Sequence, residues 1–240
     1  MFKNKKVIIF DLDGTLIDSI GIWNDIDRKL IETLGTVEFD NVNIGKQRDT
    51  KLKEFSKSED MYLEYCNFLR EKYCFKENME EVKAIRYKIA QDYLREKIDY
   101  KENAEKVIKY LKEKDFILAI GTTTNHHTLD VYRTKNINIV NKANLDDYFS
   151  LMLAKDAVKE LKPNPEVHLK IMEELSVKPE ECLIIEDSLI GIEAANNAGI
   201  EVVALYDKYS DADRDEINKL ANYHFDTWDE ILEYVKSELD

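Results

Sequence analysis

The sequence predicts an α/β protein in which a doubly wound parallel sheet is interrupted, after its first strand, by an all-helical insert. Three observations support this. Short continuous apolar runs recur along the chain, amphipathic helical patterns alternate with them, and the stretch 19–97 has helical patterns but no such run. Continuous apolar runs are typical of strands buried on both faces of a parallel sheet. Their alternation with helices indicates βαβ units.

The core elements follow in chain order. The predicted strands are the apolar runs at 6–10, 117–120, 182–185 and 201–205. The helical patterns beside them span 103–114, 166–175 and 191–198. The acidic stretch 226–240 is typical of a solvated final helix.

The insert is defined by what it lacks. Residues 19–97 contain three glycines and no proline, and amphipathic patterns run through 22–34, 59–73 and 80–95. We therefore predict a core domain of residues 1–18 and 98–240, with a helical domain of residues 19–97 inserted into it.

Composition narrows the class of partner. The 240 residues carry a formal net charge of −14, which argues against a nucleic acid or an anionic membrane as the main partner. It does not exclude a phosphate substrate, because a metal ion and a few local cations reverse the field inside one pocket. The three cysteines form no CxxC pair, and we see no secretory signal. We expect a cytoplasmic monomer with reduced thiols.

Acidic residues follow the first apolar run. Asp11 and Asp13 stand two apart in Asp11-Leu12-Asp13-Gly14-Thr15, at the strand end where an open α/β sheet places its ligand site. For this motif alone, a turn whose aspartates accept from free backbone amides is an equally good interpretation. The ends of the other runs decide between the two.

Those other ends also carry polar residues. The second run leads into Gly121-Thr122-Thr123-Thr124-Asn125, and the third ends in Glu186-Asp187. Between them, Lys162 begins Lys162-Pro163-Asn164-Pro165, just before a predicted helix. Two adjacent acids at one strand end, added to two at another, are costly unless a cation neutralises them. The combination favours a phosphate site with a metal ion over a simple turn.

The order and spacing of these residues resemble the haloacid dehalogenase superfamily. The resemblance covers four motifs and nearly the whole core, including the stretch 191–199. It implies a Rossmann-like core. The insert directly after the first motif is similar to the small helical cap of phosphoglycolate-phosphatase-like and β-phosphoglucomutase-like enzymes.

The resemblance implies a mechanism. Asp11 would attack phosphorus to form an aspartyl-phosphate, and Asp13 would act as general acid and then as general base. Mg²⁺ would be held by the Asp11 carboxylate, the Asp13 backbone carbonyl and Asp187. Glu186 would bind the metal directly or through a water molecule, and the sequence leaves both alternatives open.

The same resemblance implies a phosphate cradle. Thr122 and Lys162 would hold the phosphoryl oxygens, with Lys162 also offsetting the charge of Asp11. The backbone amides of Leu12, Asp13 and Thr123 would complete the cradle. Two further residues, Asn125 and His126, follow closely enough to contact the substrate.

The insert offers evidence on the reaction. Sugar phosphomutases of this superfamily carry a histidine in the first cap helix, where this chain has Trp23. That favours a Mg²⁺-dependent phosphatase of small phosphorylated metabolites, with the phosphomutase as the alternative and a non-catalytic binding module as a third hypothesis. Gly45 to Arg48 resembles a glycine-containing loop that descends onto the substrate, with Arg48 as a candidate anion contact.

Overall fold

The computed structural model describes residues 1–36, 43–55 and 57–240. The chain divides into two units. We call Met1–Ile20 together with Ile98–Asp240 the core unit, and Gly21–Lys97 the insert unit. The first boundary between the units follows Ile20, where the sequence places it after Asp18, and the second falls at Lys97 in both.

The core unit contains a six-stranded sheet in the order β3-β2-β1-β4-β5-β6, and every neighbouring pair is parallel. The strands are β1 Val7–Phe10, β2 Ile117–Gly121, β3 Phe149–Leu153, β4 Cys182–Glu186, β5 Glu201–Leu205 and β6 Tyr223–Phe225. This confirms the predicted doubly wound sheet. The strand order reverses between β1 and β4, and such a reversal opens a crevice at the carboxyl ends of the strands.

All secondary structure described in the insert unit is helical: α1 Ile22–Leu34, α2 Ile44–Glu54, α3 Met61–Lys72 and α4 Met79–Glu96. Leu30, Tyr65, Leu69 and Val82 are buried in its apolar cluster. Helices α1, α3 and α4 confirm the predicted patterns.

Helix α2 corrects one prediction. The segment Gly45 to Arg48 is the beginning of a helix rather than a loop. The side chain of Asn43 accepts a hydrogen bond from the Lys46 amide and so caps the helix. The sequence did not predict this helix because it is polar and only weakly amphipathic.

The core unit holds the remaining helices: α5 Ala104–Glu113, α6 His126–Thr134, α7 Ile137–Ala143, α8 Leu145–Tyr148, α9 Glu166–Leu175, α10 Leu189–Asn197, α11 Arg214–Leu220 and α12 Trp228–Leu239. Short 3₁₀ helices occur at Lys155–Ala157, Pro179–Glu181 and Lys208–Asp213. Helices α9 and α10 pack on one face of the sheet, where Val167, Ile171 and Ile192 join Ile9 and Ile184 in a buried cluster. Burial of this apolar area is the main force that fixes the strand ends in place.

Two strands were not predicted, and both lie at the edges of the sheet. In β3, Ser150 is exposed, and β6 is three residues long with no fully buried side chain. An edge strand packs less apolar surface than a central one, so its sequence lacks the continuous apolar run. None of the described helices is long and apolar enough to cross a bilayer. All three cysteines are free thiols.

Candidate active site

The candidate site lies at the carboxyl ends of the three central strands. Asp11 directly follows β1, Thr122 follows β2, and Glu186 ends β4. Because β1 pairs in parallel with both β2 and β4, these three ends lie side by side. The Asp11 amide donates to the Ile185 carbonyl at 3.0 Å, which extends the ladder by one residue and fixes where the Asp11 side chain begins.

Three carboxylates meet there. Asp11, Glu186 and Asp187 are buried, and each places one oxygen within 4.8 Å of the others. Lys162 enters from the segment before α9. Its Nζ donates to Asp11 Oδ1 at 2.6 Å and to Glu186 Oε2 at 2.7 Å. The Lys162 side chain is 2% exposed, so these charges interact with little screening by water.

Both oxygens of Glu186 accept hydrogen bonds from protein donors. Its Oε1 accepts from the amides of Asp187 and Ser188 at 3.1 and 3.0 Å and from the Ser188 hydroxyl at 2.8 Å. Its Oε2 accepts from Lys162. Gly191 makes room for this carboxylate, since a Cβ at that position would lie 1.9 Å from Oε2. Glu186 therefore orients Lys162 beside Asp11.

Asp187 is only half engaged. Its Oδ1 accepts from the Thr15 hydroxyl at 2.5 Å, while its buried Oδ2 has no hydrogen-bond partner among the described residues. Gly14, with φ of +96°, passes so close that a Cβ would lie 2.6 Å from the Asp187 carboxylate. Thr15 belongs to the first motif, but nothing in the sequence indicates that its hydroxyl reaches the carboxylate of another strand end.

The electrostatics of the cluster suit a divalent cation. The pKa of Asp11 is raised to about 7, first because burial disfavours the charged form and second because Glu186 adds a like charge, while Lys162 acts in the opposite direction. Burial, followed by the charges of Glu186 and Asp11, raises the pKa of Asp187 well above its ordinary value. The unpartnered Asp187 oxygen and the surplus of carboxylates over lysine fit Mg²⁺, which prefers carboxylate oxygen ligands.

Asp13 has a different environment, made of hydroxyl groups. Its Oδ1 accepts from Ser19 Oγ at 2.5 Å and from the Tyr132 hydroxyl at 2.9 Å. Its Oδ2 accepts from Thr124 Oγ1. The sequence identified Asp13 but none of these three donors, because Ser19 and Tyr132 lie outside the motifs and Thr124 is one of three adjacent threonines.

The loop after β2 holds the remaining candidates of the core unit. Thr122 is buried, and its Oγ1 accepts from the Thr124 amide at 3.1 Å. Thr123 is exposed. Asn125 caps α6 by accepting from the Thr128 amide at 2.9 Å, and the amide of the exposed His126 donates to Asp156 at 2.6 Å. The structure thus gives Asn125 and His126 local roles at the start of α6. The Leu12 side chain is buried in the core, so only its backbone is available to a ligand.

The candidates of the insert unit belong to a separate cluster. Arg48 donates through one guanidinium nitrogen to Asn24 Oδ1 at 3.0 Å and lies 3.5 Å from Asp27 Oδ2. The indole of Trp23 is 41% exposed and has the Arg86 guanidinium 4.9 Å from its centre. A cation over an indole ring is favourable, so Arg86 helps to hold Trp23 in place.

Comparison with known proteins supports one family. Residues 8–205 match the model of the haloacid dehalogenase-like hydrolases. A phosphorylated carbohydrates phosphatase of Thermotoga maritima is 26% identical over 82% of each chain. A phosphoglycolate phosphatase of Aquifex aeolicus is 30% identical over 81% of each. A crystal structure from Thermotoga maritima with the provisional name β-phosphoglucomutase superposes with a TM-score of 0.72 at 24% identity, covering 97% of this chain and 99% of the other.

Proposed function

The chain belongs to the haloacid dehalogenase-like hydrolases and is a phosphohydrolase of that family, and from this premise we propose that it is a Mg²⁺-dependent phosphatase of small phosphomonoester metabolites. The single observation that carries the proposal is the cluster of Asp11, Glu186 and Asp187, with Lys162 paired to Asp11 and Glu186. A nucleophile beside a lysine, with a free carboxylate oxygen for a cation, suits phosphoryl transfer, because cations stabilise the charge that develops on the phosphoryl group.

Magnesium would be held by the Asp11 carboxylate, the Asp13 backbone carbonyl and Asp187. Glu186 is the weaker candidate for direct ligation, because both of its oxygens already accept from protein donors. When bound, the ion neutralises the surplus carboxylates and withdraws charge from the phosphoryl oxygens.

Asp11 is the nucleophile in the first step. One of its oxygens forms a bond to phosphorus as the bond from phosphorus to the leaving oxygen breaks, which gives an aspartyl-phosphate. The Nζ of Lys162 lies 2.6 Å from Asp11 Oδ1. Its positive charge lowers the electrostatic repulsion between the Asp11 carboxylate and the phosphate of the substrate. The lysine remains charged throughout, since Asp11 and Glu186 raise its pKa despite the opposing effect of burial.

Asp13 moves the protons. In the first step it gives a proton to the leaving oxygen, and in the second it takes one from the water that attacks phosphorus. The second attack breaks the bond to Asp11, releases phosphate and returns both aspartates to their starting states. Between the steps, Thr122, Lys162 and the amides of Leu12, Asp13 and Thr123 hold the phosphoryl oxygens.

The insert unit is proposed as a cap that selects the substrate and excludes water during transfer. Arg48 would supply a guanidinium to an anionic group of the substrate, and Trp23 an apolar face. Asn125 and His126 remain proposed substrate contacts from the core side. We also propose that the protein acts in the cytoplasm as a monomer on a small phosphorylated metabolite, without nucleic acid or membrane as partner.

The test is a phosphate-release screen over sugar phosphates, nucleotides and short phosphoacids, with Mg²⁺ and with chelator. We expect Mg²⁺-dependent release from at least one of these classes and none from the Asp11→Asn variant. Release that persists in chelator, or in the variant, would contradict the mechanism.

The alternative function is that of a phosphomutase, which the provisional name of the similar Thermotoga maritima structure suggests. Trp23 opposes it, since an indole cannot serve as the acid or base that a histidine provides at this place in the mutases. A requirement for a sugar bisphosphate as activator, with isomerised sugar phosphate as product, would favour the mutase. Phosphate release without any activator favours the phosphatase.

A further inference from the structure

The carboxylate of Asp13 is held by three hydroxyl groups from three separate segments. Ser19 lies just before the insert unit, Thr124 in the loop after β2, and Tyr132 on α6. Ser19 and Tyr132 both donate to Oδ1, and Thr124 donates to Oδ2. Neutral hydroxyls, rather than cations, therefore set the orientation of this side chain.

The two oxygens of Asp13 differ in how many hydrogen-bond positions remain free. A carboxylate oxygen has two lone-pair positions in the carboxylate plane. Oδ1 accepts from two donors and is therefore filled, whereas Oδ2 accepts from one and retains a second position. With the carboxylate fixed in this way, a substrate atom that forms a hydrogen bond with Asp13 would do so at Oδ2.

The ring of Tyr132 is buried in the core, and its hydroxyl contacts Asp13. Its side chain is 1% exposed, and its hydroxyl donates to Asp13 at 2.9 Å. A phenylalanine would fill the same apolar space without the cost of burying a phenol oxygen.

We infer that Tyr132 is a positioning residue for Asp13, holding Oδ1 together with Ser19 so that Oδ2 passes the proton to the leaving oxygen. The inference rests on the proposed function, in which Asp13 is the general acid. The proton leaves Oδ2 for the departing oxygen while the Asp11–phosphorus bond forms, so the product is a neutral alcohol and Asp13 becomes a carboxylate. Thr124 can stay beside Oδ2 in both states, because a hydroxyl both donates and accepts.

The test compares leaving groups in the Tyr132→Phe variant. The value of kcat/KM covers only the steps up to departure of the leaving group, so it isolates the acid role of Asp13. An alkyl phosphate taken from the release screen needs that acid, whereas p-nitrophenyl phosphate releases a stabilised anion and needs it far less. We expect kcat/KM to fall about tenfold or more for the alkyl phosphate and by about twofold or less for p-nitrophenyl phosphate.

Two further variants make the test specific. Tyr100→Phe removes another buried tyrosine hydroxyl of the core unit, one that donates to the Ala143 carbonyl at 2.6 Å, and should leave the ratio of the two kcat/KM values unchanged. Ser19→Ala removes the second donor to Oδ1 and should shift the ratio in the same direction as Tyr132→Phe. It also provides the result if Tyr132→Phe does not fold, as judged by its thermal transition.

The outcomes separate this inference from the proposed function. Equal losses for both substrates, or no loss for either, in the Tyr132→Phe and Ser19→Ala variants would overturn the positioning role while phosphatase activity stands. A wild-type protein that releases phosphate from no substrate, or an Asp13→Asn variant as active as wild type, would overturn the proposed function itself.

Discussion

Two buried charge clusters, one in each unit, are built with opposite balances. In the core unit, the carboxylates of Asp11, Glu186 and Asp187 lie close together, and the ammonium of Lys162 pairs with the first two. In the insert unit, the carboxylate of Asp27 accepts from two guanidinium groups and one phenol. The cluster in the core unit has more carboxylates than its lysine neutralises. In the insert unit, by contrast, both oxygens of the Asp27 carboxylate have hydrogen-bond donors.

The cluster in the insert unit leaves no oxygen of Asp27 unused. Arg86 Nε donates to Oδ1 at 2.7 Å, the Tyr65 hydroxyl donates to Oδ2 at 2.9 Å, and Arg48 lies 3.5 Å from Oδ2. Asp27 is completely buried. The desolvation cost of its charge is offset by these partners, and the cluster ties α1 to α2, α3 and α4.

The difference teaches how to distinguish a structural charge from a functional one. A buried carboxylate whose oxygens are all paired holds helices together. A buried set of carboxylates with an unpartnered oxygen and raised pKa values costs stability, and such a cost is typical of sites that bind a cation or react. The substitutions below should therefore act in opposite directions in the two units.

The largest effect is expected from Asp11→Asn. Loss of the nucleophile should lower kcat by about a thousandfold or more. The free energy of unfolding without Mg²⁺ should stay constant or rise, because a like charge has left the cluster. Phosphate release and urea denaturation measure the two quantities. A variant that keeps its activity, or that unfolds far more easily than wild type, would break the comparison.

The matching change in the insert unit is Asp27→Asn, and here stability should suffer. The two guanidinium groups would lose the carboxylate they share, and the free energy of unfolding should fall by about 3 kcal/mol. Asp25→Asn on the same helix is the control, since Asp25 and its partner Arg28 are both about half exposed and such pairs contribute little. Urea denaturation of both variants measures their free energies of unfolding. Equal losses of stability would refute the distinction between the buried Asp27 cluster and the exposed Asp25 pair.

A smaller effect is expected from magnesium without turnover. In the metal-free protein, Asp11 and Asp187 bind protons that the unfolded chain releases, so stability falls as the pH rises from about 4 through the folded pKa of about 7. A cation replaces those protons, so the gain in stability from Mg²⁺ should grow across the same window. At a hundredfold excess over Kd the gain is about 2.7 kcal/mol.

Thermal denaturation with and without Mg²⁺, below and above that pKa, measures this effect. Asp187→Asn should remove most of the gain at the higher pH. A gain that is independent of pH, or equal in this variant, would show that the ion binds elsewhere.

The smallest effect is expected at His168, a fully buried residue on α9 whose ring nitrogens have no hydrogen-bond partner among the described residues. Burial, and then the nearby charge of Lys162, hold its pKa well below the ordinary value. The unfolded chain therefore takes up a proton below about pH 6.5 that the native state refuses, and stability is lost as the pH falls. In the metal-free protein this loss opposes the gain in stability that protonation of Asp11 and Asp187 gives as the pH falls.

His168→Phe should reduce that loss by up to about 1.4 kcal/mol per pH unit below this point. Urea denaturation at neutral and at mildly acidic pH measures it. His127→Gln is the control, because His127 is an exposed residue of α6 and is not packed in the core. If both variants follow the wild-type profile, the acid sensitivity has another origin.

The central fold was predictable because its signal is local. Strands β1, β4 and β5 consist mainly of continuous apolar runs, because a strand that is buried on both faces needs apolar side chains at successive positions. Strands β3 and β6 were not predicted because they lie at the edges, and α2 was not predicted because it is polar and only weakly amphipathic.

The candidate site was predictable where it coincides with strand ends. The structure brings Asp11, Lys162, Glu186 and Asp187 together as the sequence order implied. The hydroxyl partners were beyond prediction, since the contact between Tyr132 and Asp13 joins residues 119 positions apart. Asp27 was missed for a related reason: an acid in an amphipathic helix is normally interpreted as solvent-facing, and its partners lie on other helices.

The measurement that tests the central claim most directly is chemical trapping of the phosphorylated residue. The protein is mixed with a substrate from the release screen and Mg²⁺, quenched with acid during the first turnover, and treated with borohydride, which reduces an aspartyl-phosphate to homoserine. Peptide mapping then locates the change. The account predicts reduction at Asp11 alone, and none in the Asp11→Asn variant. Reduction at another residue, or its absence while phosphate is released at the normal rate, would contradict it.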